Sequence, residues 1–178
     1  MTDTPPPVVS IEDVLADPGF TDANPRRGDF EARFAFIGRA LATEGLGINL
    51  TVVPPRSKAF PRHYHYVNHE LFVILDGVGV LHHGEEDHAL KPLDVVFIRA
   101  GTGIPFQIEN TGDAEMRYLA LSTLIPADVF HYPDGDKYGV MAAGTPFRDL
   151  ASGDLARFSH WFRRDSAVGY WDGEVEEG

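Results

Sequence analysis

Cysteine is absent from this chain of 178 residues, which removes disulfides, thiolate metal ligands and cysteine nucleophiles from consideration. The N-terminus, MTDTPPPVVSIEDVLADPGF, has no basic stretch and no apolar run. It therefore reads as neither a signal peptide nor a membrane span, and a cytoplasmic protein is expected. Positive charge is scarce: 15 Lys and Arg face 27 Asp and Glu, for a net charge of −12. A field of that sign repels phosphate backbones and anionic lipid, so neither nucleic acid nor membrane is an expected partner. Arg26-Arg27 and Arg163-Arg164 are too short and isolated to reverse it. There is no internal repeat, and the roughly 30 residues before the first barrel strand leave no room for a helix-turn-helix reader of DNA.

What is present fits one compact domain. Ser10, followed by Glu12 and Asp13, can cap a helical turn over Ile11 to Ala16 that Pro18-Gly19 ends. From Phe30 the apolar residues alternate with period two, predicting strands over Phe30–Leu41, Gly45–Val53, Glu70–Leu75, Val78–His82, Val95–Ile98, Phe106–Glu109 and Met116–Ser122. Asp76-Gly77, Gly84-Glu85, Lys91-Pro92 and Gly101-Thr102-Gly103 punctuate them. Many short strands with regular turns predict an all-β sandwich or barrel. Leu124–Pro146 reads as a long loop that folds over a barrel mouth or lies in a subunit interface. Ser152–Phe162 reads as a brief helix, with Leu155, Phe158 and Phe162 at helical spacing.

The chemistry concentrates in Pro61–Gly77, PRHYHYVNHELFVILDG. Side chains two apart on a strand share a face, so His63 and His65 project together, and Glu70 follows after a turn. Two imidazoles and a carboxylate suit non-haem Fe(II) and also accept Mn, Zn, Ni or Co. By the same alternation His69 points away from them, and Tyr64 and Tyr66 take the opposite face. His82, His83 and His88 read as exposed histidines beside the acidic hairpin Gly84-Glu85-Glu86-Asp87. His131 and His160 carry no functional signal.

The spacing His63-x-His65, four residues, Glu70, six residues, Gly77 resembles the first motif of the cupin superfamily. Leu93–Asn110, LDVVFIRAGTGIPFQIEN, resembles the second, with Gly101 and Asn110 in place. Leu93 stands where the first Gly is usual, Arg99 where Pro is usual, and Phe106 where the family has its last metal-ligating His. The superfamily resemblance covers Gly45 to Ser122. A looser one, to small uncharacterised single-domain cupins of the type-2 conserved-barrel kind, extends through Tyr132-Pro133-Asp134-Gly135 and Tyr170-Trp171-Asp172-Gly173-Glu174.

That resemblance implies an all-β double-stranded β-helix, the cupin jelly-roll barrel, over 30–122. An N-terminal extension covers 1–29, and a C-terminal extension over 123–178 packs on the barrel. It further implies a divalent metal ion (Fe, Mn, Zn or Ni) on His63, His65 and Glu70, held by three protein ligands at most because Phe106 has no lone pair. Phe72, Ile74, Phe106 and Ile108 are the expected barrel-lining residues, with Arg99 first among Arg33, Arg56 and Arg62 as a carboxylate-binding group at the rim. The expected partners are a small-molecule ligand and a second copy in a homodimer. Three functions fit: a metal-dependent enzyme of unresolved oxygenase, isomerase, decarboxylase or lyase type, a non-catalytic binding or sensing barrel with a degenerate metal site, and a storage or scaffold protein.

Overall fold

The computed structural model describes residues 5–143 and 157–174. Strands dominate, in chain order β1 (Thr21–Arg27), β2 (Phe30–Ala35), β3 (Leu46–Val53), β4 (Tyr64–His65), β5 (Glu70–Asp76), β6 (Gly79–His83) and β7 (Glu86–Leu90). They continue with β8 (Val95–Ile98), β9 (Phe106–Asn110), β10 (Met116–Thr123), β11 (Asp128–Tyr132), β12 (Lys137–Ala143) and β13 (Arg157–Arg163). Two short helices, α1 (Ile11–Ala16) and α2 (Ile37–Leu41), accompany them. No helix among the described residues is long and apolar enough to cross a membrane.

Every strand pairing is antiparallel. The largest sheet runs β1-β2-β3-β10-β5-β8, a second runs β7-β6-β9, and a third runs β13-β12-β11-β4. Alternation sorts each strand into an inner and an outer face. The inner residues Phe34, Phe72, Ile74, Val96, Ile98, Phe106, Ile108, Met116 and Tyr118 form one core cluster. Leu50 and Val52 face outward, where Val14, Ala35 and Ile37 join them in a smaller core under α1 and α2. This is the all-β jelly-roll architecture expected from the sequence.

Two residues of the motif pattern have structural duties. Asn110 is fully buried, its amide donating to the carbonyls of Val53, Pro54 and Ala114 while its Oδ1 accepts from Gly112 N–H. It thus ties β9 to the end of β3 and to the turn before β10. Gly77 has φ +82°, and a Cβ there would sit 2.7 Å from the Met116 backbone, so no other residue fits between β5 and β6.

Several expectations are corrected. The predicted strand Phe30–Leu41 breaks at Phe36, and Ile37–Leu41 is helical because Ile37, Ala40 and Leu41 reach the smaller core. Ala42, at φ 52°, ends that helix. Ser10 precedes α1 without a side-chain capping bond. The described part of Leu124–Pro146 is not a loop but contains β11 and β12. The predicted helix over Ser152–Phe162 begins outside the described residues, and from Arg157 the chain is instead the strand β13, paired along β12.

Candidate metal centre

His63, His65 and Glu70 are delivered by separate pieces of backbone. His63 is locked opposite Phe106 by reciprocal hydrogen bonds, His63 N–H to Phe106 O at 3.1 Å and Phe106 N–H to His63 O at 2.8 Å. His65 lies on β4 opposite Phe130 of β11. Glu70 opens β5 between Ser122 of β10 and Ile98 of β8. One ligand atom from each converges so that all three lie within 4.8 Å of one another. The expected trio is therefore one cluster in space.

The outer nitrogens of both imidazoles are occupied. His63 Nδ1 lies 2.8 Å from the Pro61 carbonyl, which accepts its proton, and His65 Nδ1 lies 2.7 Å from Asp128 Oδ2. Each bond leaves Nε2 with a lone pair directed away from it, the arrangement of metal-ligating histidines. His65 Nε2 is 3.6 Å from Glu70 Oε2. That oxygen is buried and has no hydrogen-bond partner. A buried carboxylate oxygen without a donor is costly, and a cation between Glu70 and the two imidazoles removes the cost. The donor set and its orphaned oxygen fit a divalent metal.

Electrostatics follow from these contacts. Burial lowers the His63 pKa to about 4, with the charge of His65 acting the same way, so this imidazole is neutral near pH 7. Burial also opposes charge on His65, but the Asp128 hydrogen bond and the charges of Glu70 and Asp128 outweigh it and raise its pKa. Burial raises Glu70, only partly offset by His65. Burial likewise opposes charge on Asp128, yet its bonds to His65, Asn68 and Val67 hold it below the usual carboxylate value.

Asp128 is the residue that reading the sequence missed. It is 2% exposed, and Asn68 Nδ2 (2.9 Å), Val67 N–H (3.1 Å) and Val129 N–H (2.8 Å) donate to it besides His65. A lone Asp in a segment without periodicity gives no signal in one dimension. Only the β4-β11 pairing brings it to His65.

The cluster opens onto a cavity of about 250 Å³. Phe72, Phe106 and Ile108 line it as expected, and Tyr118, Thr51 and Asn49 close the side toward β3 and β10. Phe34 and Phe60 also line it, and a further wall comes from the C-terminal strands: Phe130 and Tyr132 of β11, Met141 of β12 and Trp161 of β13. Gly139 permits this wall, since a Cβ there would meet Phe130 at 2.6 Å and the Trp161 indole at 2.7 Å. Phe106 packs its ring 4.8 Å from that of His63, presenting hydrocarbon beside the cluster. Gln107 also lines the cavity, its amide donating to Phe60 O at 2.7 Å.

Two expected residues lie elsewhere. Ile74 is fully buried in the core cluster and does not line the cavity. Arg99 is exposed and absent from the lining. Of its alternatives, Arg33 pairs with Glu115, Arg56 pairs with Asp113, and Arg62 donates to Gly84 O. His69 accepts from Ala100 N–H, away from the cavity, as its place in the alternation predicts. His82 bridges Asp87 and Glu109, and His88 pairs with Glu86, in keeping with an acidic hairpin setting. Tyr64 and Tyr66 join hydroxyls at 2.9 Å on the opposite face. His131 is buried beside Tyr64 and Tyr138 on that same face.

Comparison with known proteins agrees with this fold. Residues 49–123 match the family model described as Cupin domain. The chain is 36% identical over 73 residues to an oxalate-binding protein of Thermotoga maritima, 41% of this chain and 58% of that relative, so it spans little more than half of the relative's length. A sugar phosphate isomerase of the cupin superfamily from Silicibacter pomeroyi superposes with a TM-score of 0.66 at 24% identity, over 84% of this chain and 90% of that one. A predicted oxalate decarboxylase of Thermotoga maritima superposes with a TM-score of 0.55 at 27% identity, over 66% of this chain and 99% of that one.

Proposed function

This chain belongs to the cupin superfamily, and from that premise we propose that it is a divalent-metal-dependent enzyme acting on a small organic molecule held in its aromatic cavity. His63, His65 and Glu70 are the ligands, and Asp128 orients His65. The observation that carries this reading is the buried Glu70 Oε2, which has no hydrogen-bond partner and belongs to a carboxylate clustered with two imidazoles. When bound, a divalent ion supplies Lewis-acid charge, and with Fe or Mn a redox couple, to an oxygen-bearing ligand. Three protein ligands leave coordination positions for substrate. Phe106 and Phe72 exclude water from one side, and the Tyr118 hydroxyl, its pKa raised by burial, remains protonated near Glu70.

Elemental analysis of protein purified without chelator tests the proposal. We expect near-stoichiometric Fe, Mn, Ni or Zn that His63→Ala combined with His65→Ala abolishes while the fold persists. Metal content unaffected by the double substitution refutes the site.

A second reading, a non-catalytic binding barrel, is favoured by Phe106 alone. Restoring an imidazole with Phe106→His is expected to tighten metal binding, and unchanged affinity would place position 106 outside the ligand sphere. The homodimer expected from the resemblance is carried into the proposal. Light scattering at micromolar concentration tests it, and a monomer mass refutes it.

A further inference from the structure

The composition of the cavity wall restricts the ligand further than the metal does. Eight aromatic side chains line the cavity: Phe34, Phe60, Phe72, Phe106, Phe130, Tyr118, Tyr132 and Trp161. Among the described residues no Lys or Arg lines the cavity. Lys137 lies over the Tyr132 ring, 5.0 Å from its centroid, and is not part of the lining.

The charge available to a ligand is consequently small. A divalent ion on two neutral imidazoles and the Glu70 carboxylate leaves one net positive charge, and Asp128 behind His65 reduces the field further. Phosphate dianions are usually met by Arg or Lys clamps or by a helix N-terminus, and the described lining residues offer no such cation. A single carboxylate matches the charge. Size sets the other limit, since a cavity of roughly 150 Å³ accommodates a benzene ring and this one measures about 250 Å³. One ring and its head group fit. Phe60 and Trp161 line the cavity while remaining 43% and 52% exposed, which places them at its opening.

Resting on the metal centre proposed above, we infer that the ligand is a small aromatic monocarboxylate, its carboxylate toward His63, His65 and Glu70 and its ring against Phe106, Phe130 and Trp161. On this reading phosphorylated sugars, named for one structural neighbour, bind less well, because the described lining carries no Lys or Arg for the phosphate.

The test loads the full chain with Mn²⁺ and measures its stoichiometry, then titrates in benzoate, acetate and glucose 6-phosphate by calorimetry while following the water-proton relaxivity of the bound ion. Benzoate is expected to bind at least about tenfold more tightly than acetate, which shares its head group but has no ring. It is expected to exceed glucose 6-phosphate by a similar factor and to lower the relaxivity by displacing water. Trp161→Ala should weaken benzoate about tenfold with Mn²⁺ affinity unchanged, and Trp161→Phe should restore most of the loss. Equal affinity for benzoate and acetate, tighter binding of glucose 6-phosphate, or an ineffective Trp161→Ala overturns the inference while leaving the metal centre standing. Failure to take up Mn²⁺, seen before any ligand is added, overturns the metal centre and this inference with it.

Discussion

Replacing Asp128 by Asn separates a carboxylate that orients the metal site from one that merely fills space. The two side chains are nearly isosteric, but Asp128 accepts four hydrogen bonds. Val67 N–H and Val129 N–H reach Oδ1, while His65 Nδ1 and Asn68 Nδ2 reach Oδ2. Either orientation of an Asn amide turns its NH₂ group toward two of those donors. Two buried donors left unpaired cost about 1–3 kcal/mol each, so a loss of about 2–6 kcal/mol is expected in urea unfolding of the metal-free protein. His65 also loses two of the causes that raise its pKa, the hydrogen bond and the charge of Asp128. Its pKa should therefore fall, as read from imidazole chemical shifts against pH. With its tautomer and ring orientation no longer held, metal affinity measured against a competing chelator should drop about 10–100-fold. A merely structural residue would lower stability without moving either the His65 titration or the metal constant. Metal affinity within twofold of the parent, together with an unmoved His65 titration, would refute the reasoning.

Two further outcomes are expected. His65 and Glu70 both have raised pKa values, and both must be deprotonated to ligate, whereas His63 is already neutral above about pH 4. Metal affinity should therefore rise with pH through the elevated His65 value and fall in acid. Calorimetry in buffers of different ionisation enthalpy should show protons released as the ion binds, and pH-independent binding would contradict the ligand assignment. Leu93 is 84% exposed at φ 74°, in the left-handed region that costs a non-glycine residue about 1–2 kcal/mol. Leu93→Gly should thus raise stability by about 1 kcal/mol after the entropy of glycine is subtracted, and denaturant midpoints that fall instead would show that Leu93 is held by contacts.

By itself, the sequence determined what depends on local periodicity. Alternating apolar residues marked seven strands, and the two-residue step from His63 to His65 with Glu70 at the next strand start specified three candidate ligands, because strand geometry is set within a few residues. The departure at Phe106 was legible only through the cupin resemblance, which implies a ligating His there, and a phenyl ring cannot donate a lone pair in any fold. Tertiary structure decided the rest. Ile37–Leu41 alternates well enough for a strand but coils because its apolar side chains find the outer core under α1. Asp128–Tyr132 and Lys137–Ala143 are short and separated by Pro133-Asp134-Gly135-Asp136, and they become strands through backbone pairing with β4, with each other and with β13. That pairing brings Asp128 to His65, and Phe130, Tyr132 and Trp161 to the cavity. Hydrogen bonds between segments distant in sequence leave no periodic trace, so the orientation of His65 and the aromatic wall facing the site were set only when the chain closed on itself.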